Sequence, residues 1–143
     1  MLIRNILEES VRKFDEVKAV KWLKKKEIME RSYGELMENV VSTRKGLLAE
    51  GFEGKHIALI GTSSVEWMES YLGIITGCTT AVPLDAALPC EDLIDLLNRS
   101  DSVALFLSPK LKPYLDAFLE NCPKLQKVWM LQEEVEDLSL IHI

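Results

Sequence analysis

Apolar residues recur along this chain in two alternating rhythms. Short, largely apolar runs, Ile57 to Ile60, Thr79 to Val82, Val103 to Leu107 and Lys127 to Leu131, are bounded by glycine, proline or polar turn residues. Runs of this kind read as strands buried on both faces. Between them, apolar side chains fall three and four residues apart, the interval of a helix with one buried face. Trp67, Met68, Tyr71, Leu72 and Ile75 supply the first such face, and Leu93, Ile94, Leu96 and Leu97 the second. Leu111, Tyr114, Leu115, Phe118 and Leu119 supply a third, on a helix that stops before Pro123. The stretch from His56 to Pro89 is therefore a strand, a helix and a strand, a βαβ unit with parallel strands and a right-handed crossover.

The boundaries carry their own signals. Ser63 stands three residues before Glu66, which predicts a capping box at the start of the central helix, and Gly77 offers a left-handed stop at its end. Pro89 followed by Glu91 and Asp92 favours another helix start through fixed φ and early negative charge. Ser108 and Pro109 mark the start of the third helix.

Upstream, Ile3, Ile6, Leu7, Val11 and Phe14 make an amphipathic opening helix over Ile3 to Phe14. Ala19 to Leu23 and Glu27 to Arg31 form two short strands joined across Lys24 to Lys26, without the Asn-Gly chemistry of the commonest tight turns. Ser32 and Glu35 repeat the capping box. Behind them Tyr33, Leu36, Met37, Val40, Val41, Leu47 and Leu48 continue a helical stripe to Gly51. The fold class expected is α/β, a parallel doubly wound sheet with flanking helices and a small N-terminal hairpin.

Composition narrows the function. At 143 residues and 48% apolar, the chain can build a core of its own. A net charge of −6 argues against a nucleic-acid or anionic-membrane surface. The one basic run, Lys24 to Lys26, reads as a solvated hairpin tip. Cys78, Cys90 and Cys122 contain no C-x-x-C pair and no nearby histidine, so they read as reduced thiols, with Cys78 and Cys122 acting as small hydrophobes. No apolar run approaches a membrane span, and the charged N-terminus lacks a signal-peptide core. A cytoplasmic location is expected.

Candidate chemistry is sparse. Gly61, Thr62, Ser63 and Ser64 occupy a strand-to-helix turn, where an α/β protein can hold a phosphate on backbone N–H groups. With one glycine and no following lysine, the turn reads first as helix capping. His56 reads as a strand-edge residue. Asp85 lies beyond a strand's C-terminal end, the ligand side of open sheets, but its simpler role is to brace its own loop. Glu91, Asp92 and Asp95 complement a helix dipole, and Trp67 and Tyr71 belong to the core. No catalytic, cofactor-binding or metal-binding residue is assigned.

The order of these features resembles the N-terminal part of AMP-forming acyl-CoA synthetases, the adenylate-forming ligase superfamily. The segments that carry the resemblance are Ser32-Tyr33-Gly34-Glu35-Leu36, Gly46-Leu47, Gly51, Ser64-Val65-Glu66-Trp67, Tyr71 to Ile74 and Ala81 to Asp85. Leu88-Pro89, Glu91, Leu93 and Asn98 to Asp101 extend it, and bacterial long-chain fatty-acid ligases look closest. The resemblance implies an enzyme that joins a fatty acid to AMP from ATP, with release of pyrophosphate, and then passes the acyl group to coenzyme A. ATP and magnesium are the implied cofactors, coenzyme A the co-substrate. The family's phosphate loop, magnesium-site Thr-Glu pair, ribose-binding Asp and C-terminal lysine have no counterpart in this chain. The resemblance therefore implies a scaffold portion, inactive alone.

Leu138 to Ile143 resembles the conceptual translation of CTG TCT CTT ATA CAC ATC, the end of a transposon sequencing adapter. Residues 1–137 are accordingly expected to be a partial AMP-binding domain and 138–143 an adapter-derived tail. Two other readings share the pattern: a peptide-synthetase adenylation domain that loads a carrier protein, and a free-standing flavodoxin-like binding module.

Overall fold

A computed structural model describes residues 2–131 of the chain. Helix α1 (Ile3–Phe14) leads into a hairpin of β1 (Lys18–Lys24) and β2 (Glu27–Ser32), followed by α2 (Tyr33–Ala49). Strands and helices then alternate through β3 (His56–Ile60), α3 (Val65–Thr76), β4 (Thr80–Leu84), α4 (Cys90–Arg99), β5 (Ser102–Leu107), α5 (Leu115–Asn121) and β6 (Lys127–Met130). The hairpin is antiparallel, and the other four strands form a parallel sheet in the order β4-β3-β5-β6.

This order explains the unbroken apolar runs. Successive strand side chains point to opposite faces. Ile57, Leu59, Ala104 and Phe106 meet Leu47 of α2 and Ile74 of α3 on one face. Ala58, Ile60, Leu105 and Leu107 meet Leu93 and Leu97 of α4 and Phe118 of α5 on the other. Both faces are covered, so each large strand residue contributes about 1.5–3 kcal/mol from burial. The doubly wound sheet expected from the sequence is present.

Several local expectations need correction. The cap of α3 is Ser64, whose hydroxyl accepts from Trp67 N–H at 3.0 Å, and not Ser63. The buried residues of α3 are Val65, Glu69, Ser70, Gly73, Ile74 and Thr76, whereas Trp67, Met68, Tyr71, Leu72 and Ile75 are half-buried. Close helix packing is the reason. A Cβ added at Gly73 would lie 2.6 Å from Thr43 Cβ, so α2 approaches α3 on its small and polar side. Gly77 ends α3 in extended backbone (φ −90°, ψ −159°), with Arg44 and the Gly73 carbonyl crowding its missing side chain.

The helix predicted after Ser108 is a 3₁₀ helix over Pro109–Tyr114 continued by α5, since Pro113 withholds an N–H and disfavours a continuous α-helix. Helix α1 has its predicted bounds, yet none of its residues is buried, and Ile3, Ile6 and Phe14 face solvent. Cys78 is exposed and not part of the core; Cys122 is buried as expected. The proposed tail, residues 138–143, lies outside the described residues.

Candidate functional site

The chain steps from β3 out to β4 and then back across to β5, so the loops leaving β3 and β5 diverge. In open α/β sheets, the crevice at such a switch point is where ligands bind. Gly61 to Ser64 leave β3, and Ser108 to Lys110 leave β5. Ser108 N–H donates to the Ile60 carbonyl at 2.9 Å and ties the two strand ends together. Gly61 sits at the crowded point, where a Cβ would lie 3.1 Å from Leu131 Cδ1 and 3.2 Å from Ser108 Cβ. The hairpin overhangs this edge and encloses a crevice of about 650 Å³, with Trp22, Met29, Arg31, Thr62, Ser64 and Lys110 in its wall.

A second cleft of about 390 Å³ lies beside it, and Arg31 and Glu66 line both. Phe106 and Trp129 stack at 5.0 Å along its wall. Glu69, 5% exposed, accepts a hydrogen bond from Asn39 Nδ2 at 2.7 Å and lies 3.4 Å from Arg31 Nε. One carboxylate from α3 thus joins β2 and α2. Burial pushes the Glu69 carboxyl up to about 7; Asn39 and Arg31 pull it down, and neighbouring Glu66 adds to the rise. The Arg31 guanidinium also lies 5.3 Å from the Trp22 ring centroid.

Sequence reasoning missed Glu69, Asn39 and Arg31. The available signal was Glu69 itself, on the side of α3 opposite Trp67 and Tyr71. Chemically, the arrangement is a polar joint between elements, with its carboxylate already engaged.

The residues singled out beforehand are dispersed. His56 Nδ1 lies 2.7 Å from the Ser100 carbonyl, at the end of β3 away from the crevice. Asp85 Oδ1 accepts from Ala87 N–H at 2.9 Å and braces its loop. Glu91 and Asp92 occupy the first turn of α4, while Asp95 pairs with Arg99 at 3.1 Å. Trp67 and Tyr71 stack at 5.3 Å beside the core. Burial pushes the Cys122 thiol up. Thr62, Ser63 and Ser64 line the crevice. Among the described residues, no group of three His, Cys, Asp or Glu side chains is placed to hold a metal ion.

Residues 7–141 match the AMP-binding enzyme family. The chain belongs to that family. No curated protein matches it in sequence. Among solved structures, the anthranilate CoA ligase AuaEII, determined with anthranoyl-AMP, superposes with a TM-score of 0.80 at 18% identity, covering 91% of this chain and 25% of that one. The N-terminal domain of FACL13 from Mycobacterium tuberculosis gives 0.81 at 18% identity, covering 91% and 34%. A Mycobacterium tuberculosis fatty acyl CoA synthetase gives 0.80 at 19%, covering 98% and 28%.

Identities this low speak for the fold. That fold is the N-terminal subdomain of the adenylate-forming ligases, as the sequence resemblance implied. This AMP-binding family chain spans 25–34% of these three solved chains.

Proposed function

We propose that this chain is the N-terminal part of an ATP-dependent ligase that activates a long-chain fatty acid as acyl-AMP and passes the acyl group to coenzyme A. The family match across residues 7–141 carries the reading. Similarity to proteins named as a fatty acyl CoA synthetase and an anthranilate CoA ligase supports a carboxylate substrate and coenzyme A as acceptor. In the parent, the sheet and its crevice are scaffold that helps to wall the acyl pocket.

The described residues carry no recognised magnesium or ATP motif. They hold no clustered metal ligands, and the turn after β3 has a single glycine without a following lysine. Nucleotide, metal and coenzyme A are therefore assigned to parts of the parent outside this chain. The chain alone is expected to be inactive. Incubated with ATP, a fatty acid and coenzyme A, it should release no pyrophosphate above a blank, and release above the blank overturns that assignment.

Residues 1–137 are proposed as a partial AMP-binding domain and 138–143 as adapter-derived, although the family match continues to residue 141. Reading the parent gene past Glu136 tests this boundary. It also tests the substrate class, since a carrier domain downstream would replace the coenzyme A ligase by a peptide-synthetase adenylation domain. No described helix is long and apolar enough to cross a membrane. The proposed compartment is the cytoplasm, to be checked by fractionating cells that express the intact gene.

A further inference from the structure

Hairpins normally join a fold by burying one apolar face, and this one buries its inner face, Val20, Trp22 and Met29, only in part. Within β1 and β2 the only buried residue is Ser32. Leu23 and Ile28 pair across the strands and are 72% and 71% exposed. On the other side, Trp22 pairs with Met29 and lines the crevice, so open space separates that side from the sheet edge. A two-stranded hairpin on its own is marginal in water. Its place over the sheet must come from attachments other than a buried apolar face.

Two attachments are visible. At the base, Tyr33 N–H donates to the Val17 carbonyl at 3.0 Å and Gly34 N–H to the Asp15 carbonyl at 2.9 Å, binding the incoming and outgoing chain side by side. A side chain at Gly34 would push the Asp15 carboxylate aside and lie 3.3 Å from the Asp15 carbonyl, so the two chain segments approach closely here. The capping box of Ser32 and Glu35 fixes the outgoing end on α2. The other attachment is Arg31 to Glu69. Arg31 Nε is buried without a hydrogen bond and faces Glu69 at 3.4 Å, an ionic contact that can part without breaking a hydrogen bond.

We infer that the hairpin β1–β2 is a lid, hinged at Asp15–Val17 and Ser32–Gly34 and latched by Arg31 to Glu69, that opens and closes over the crevice at the C-terminal ends of β3 and β5. Glu69 is a positioning residue in this device. It holds the lid and stays anchored to α2 through Asn39 when the lid lifts. Arg31, with Glu66, lines both clefts, so parting it from Glu69 alters the wall they share. The inference rests on the hairpin's own contacts and is independent of the ligase reading.

Amide hydrogen exchange read by mass spectrometry on the full 143-residue chain at pH 8 tests it. In Arg31→Gln and in Glu69→Gln, amides of residues 18–32 should exchange about tenfold faster than in the wild type, while β3 and β5 keep their protection. The double variant should be no faster than either single one, since both remove the same contact. Hairpin exchange at the wild-type rate in Arg31→Gln would overturn the lid. So would acceleration of β3 and β5 in step with the hairpin, or an additive double variant. Should Glu69→Gln fail to fold, Arg31→Gln decides by the first two criteria, because its side chain is partly exposed and its loss leaves the Glu69–Asn39 bond in place.

Discussion

Glu69 shows how one side chain can hold three elements together and still burden the fold. Its carboxyl is raised from 4.5 to about 7, chiefly by burial, so between those values the folded chain keeps a proton that the unfolded chain has lost. The stability tied to that proton is complete below pH 4.5 and is lost as the pH climbs through 7. Urea midpoints measured at pH 5 and pH 8 should therefore fall for the wild type relative to Glu69→Gln, which lacks the titration. A gap between the two proteins that does not change with pH would contradict this. Two glycines set a second contrast at the same scale. Gly46, with open space where a Cβ would go, should accept alanine and gain up to about 1 kcal/mol of helix propensity. Gly73→Ala meets Thr43 at 2.6 Å and the Val40 carbonyl at 3.1 Å, and should cost about 1–3 kcal/mol by overpacking. Denaturation of both variants checks the opposite signs. Nothing local in the sequence separates these two glycines. Both sit inside helices, and only the neighbouring helix tells them apart.

At the scale of elements, the starts and stops of most helices and strands were legible, because caps and apolar runs act over a few residues. The box of Ser32 and Glu35 is present as read, with hydrogen bonds of 3.1 and 2.9 Å. The box read at Ser63 is not, and the cap shifts by one residue to Ser64. Ser64→Ala should accordingly cost about 1 kcal/mol, whereas Ser63→Ala at an exposed position should change stability by less than about 0.5 kcal/mol. Equal losses in thermal unfolding would place the cap elsewhere. The buried side of α3 was read wrongly for a related reason. Periodicity ranks faces by hydrophobicity, but helix against helix favours small residues, and Ser70 and Gly73 won the seam while Trp67 and Tyr71 took its margin. The hairpin turn formed without Asn-Gly. Lys25 and Lys26 adopt φ of 47° and 67°, so both occupy left-handed backbone, as a two-residue turn between twisted strands requires.

For the whole molecule, the apolar stripe of α1 is the informative mismatch. Ile3, Ile6 and Phe14 follow a helical rhythm yet remain exposed, on a chain that spans 25–34% of the three solved chains compared above. The chain by itself should self-associate as its concentration rises, and Ile3→Ser/Ile6→Ser should weaken that association. Sedimentation velocity over a concentration series checks both, and a monomer throughout would show that the stripe is harmless. The sequence by itself determined the element types, their order and the parallel α/β class, because those follow from local periodicity and from the length of each crossover. It also carried the family, through ordered segments spread over most of the chain. Only the tertiary structure decided which face of α3 is buried, that Glu69 joins Arg31 and Asn39, and that the hairpin overhangs the switch-point crevice. Those outcomes depend on how closely distant elements approach, a quantity set by the packing of several side chains at once and written in no single stretch of the chain.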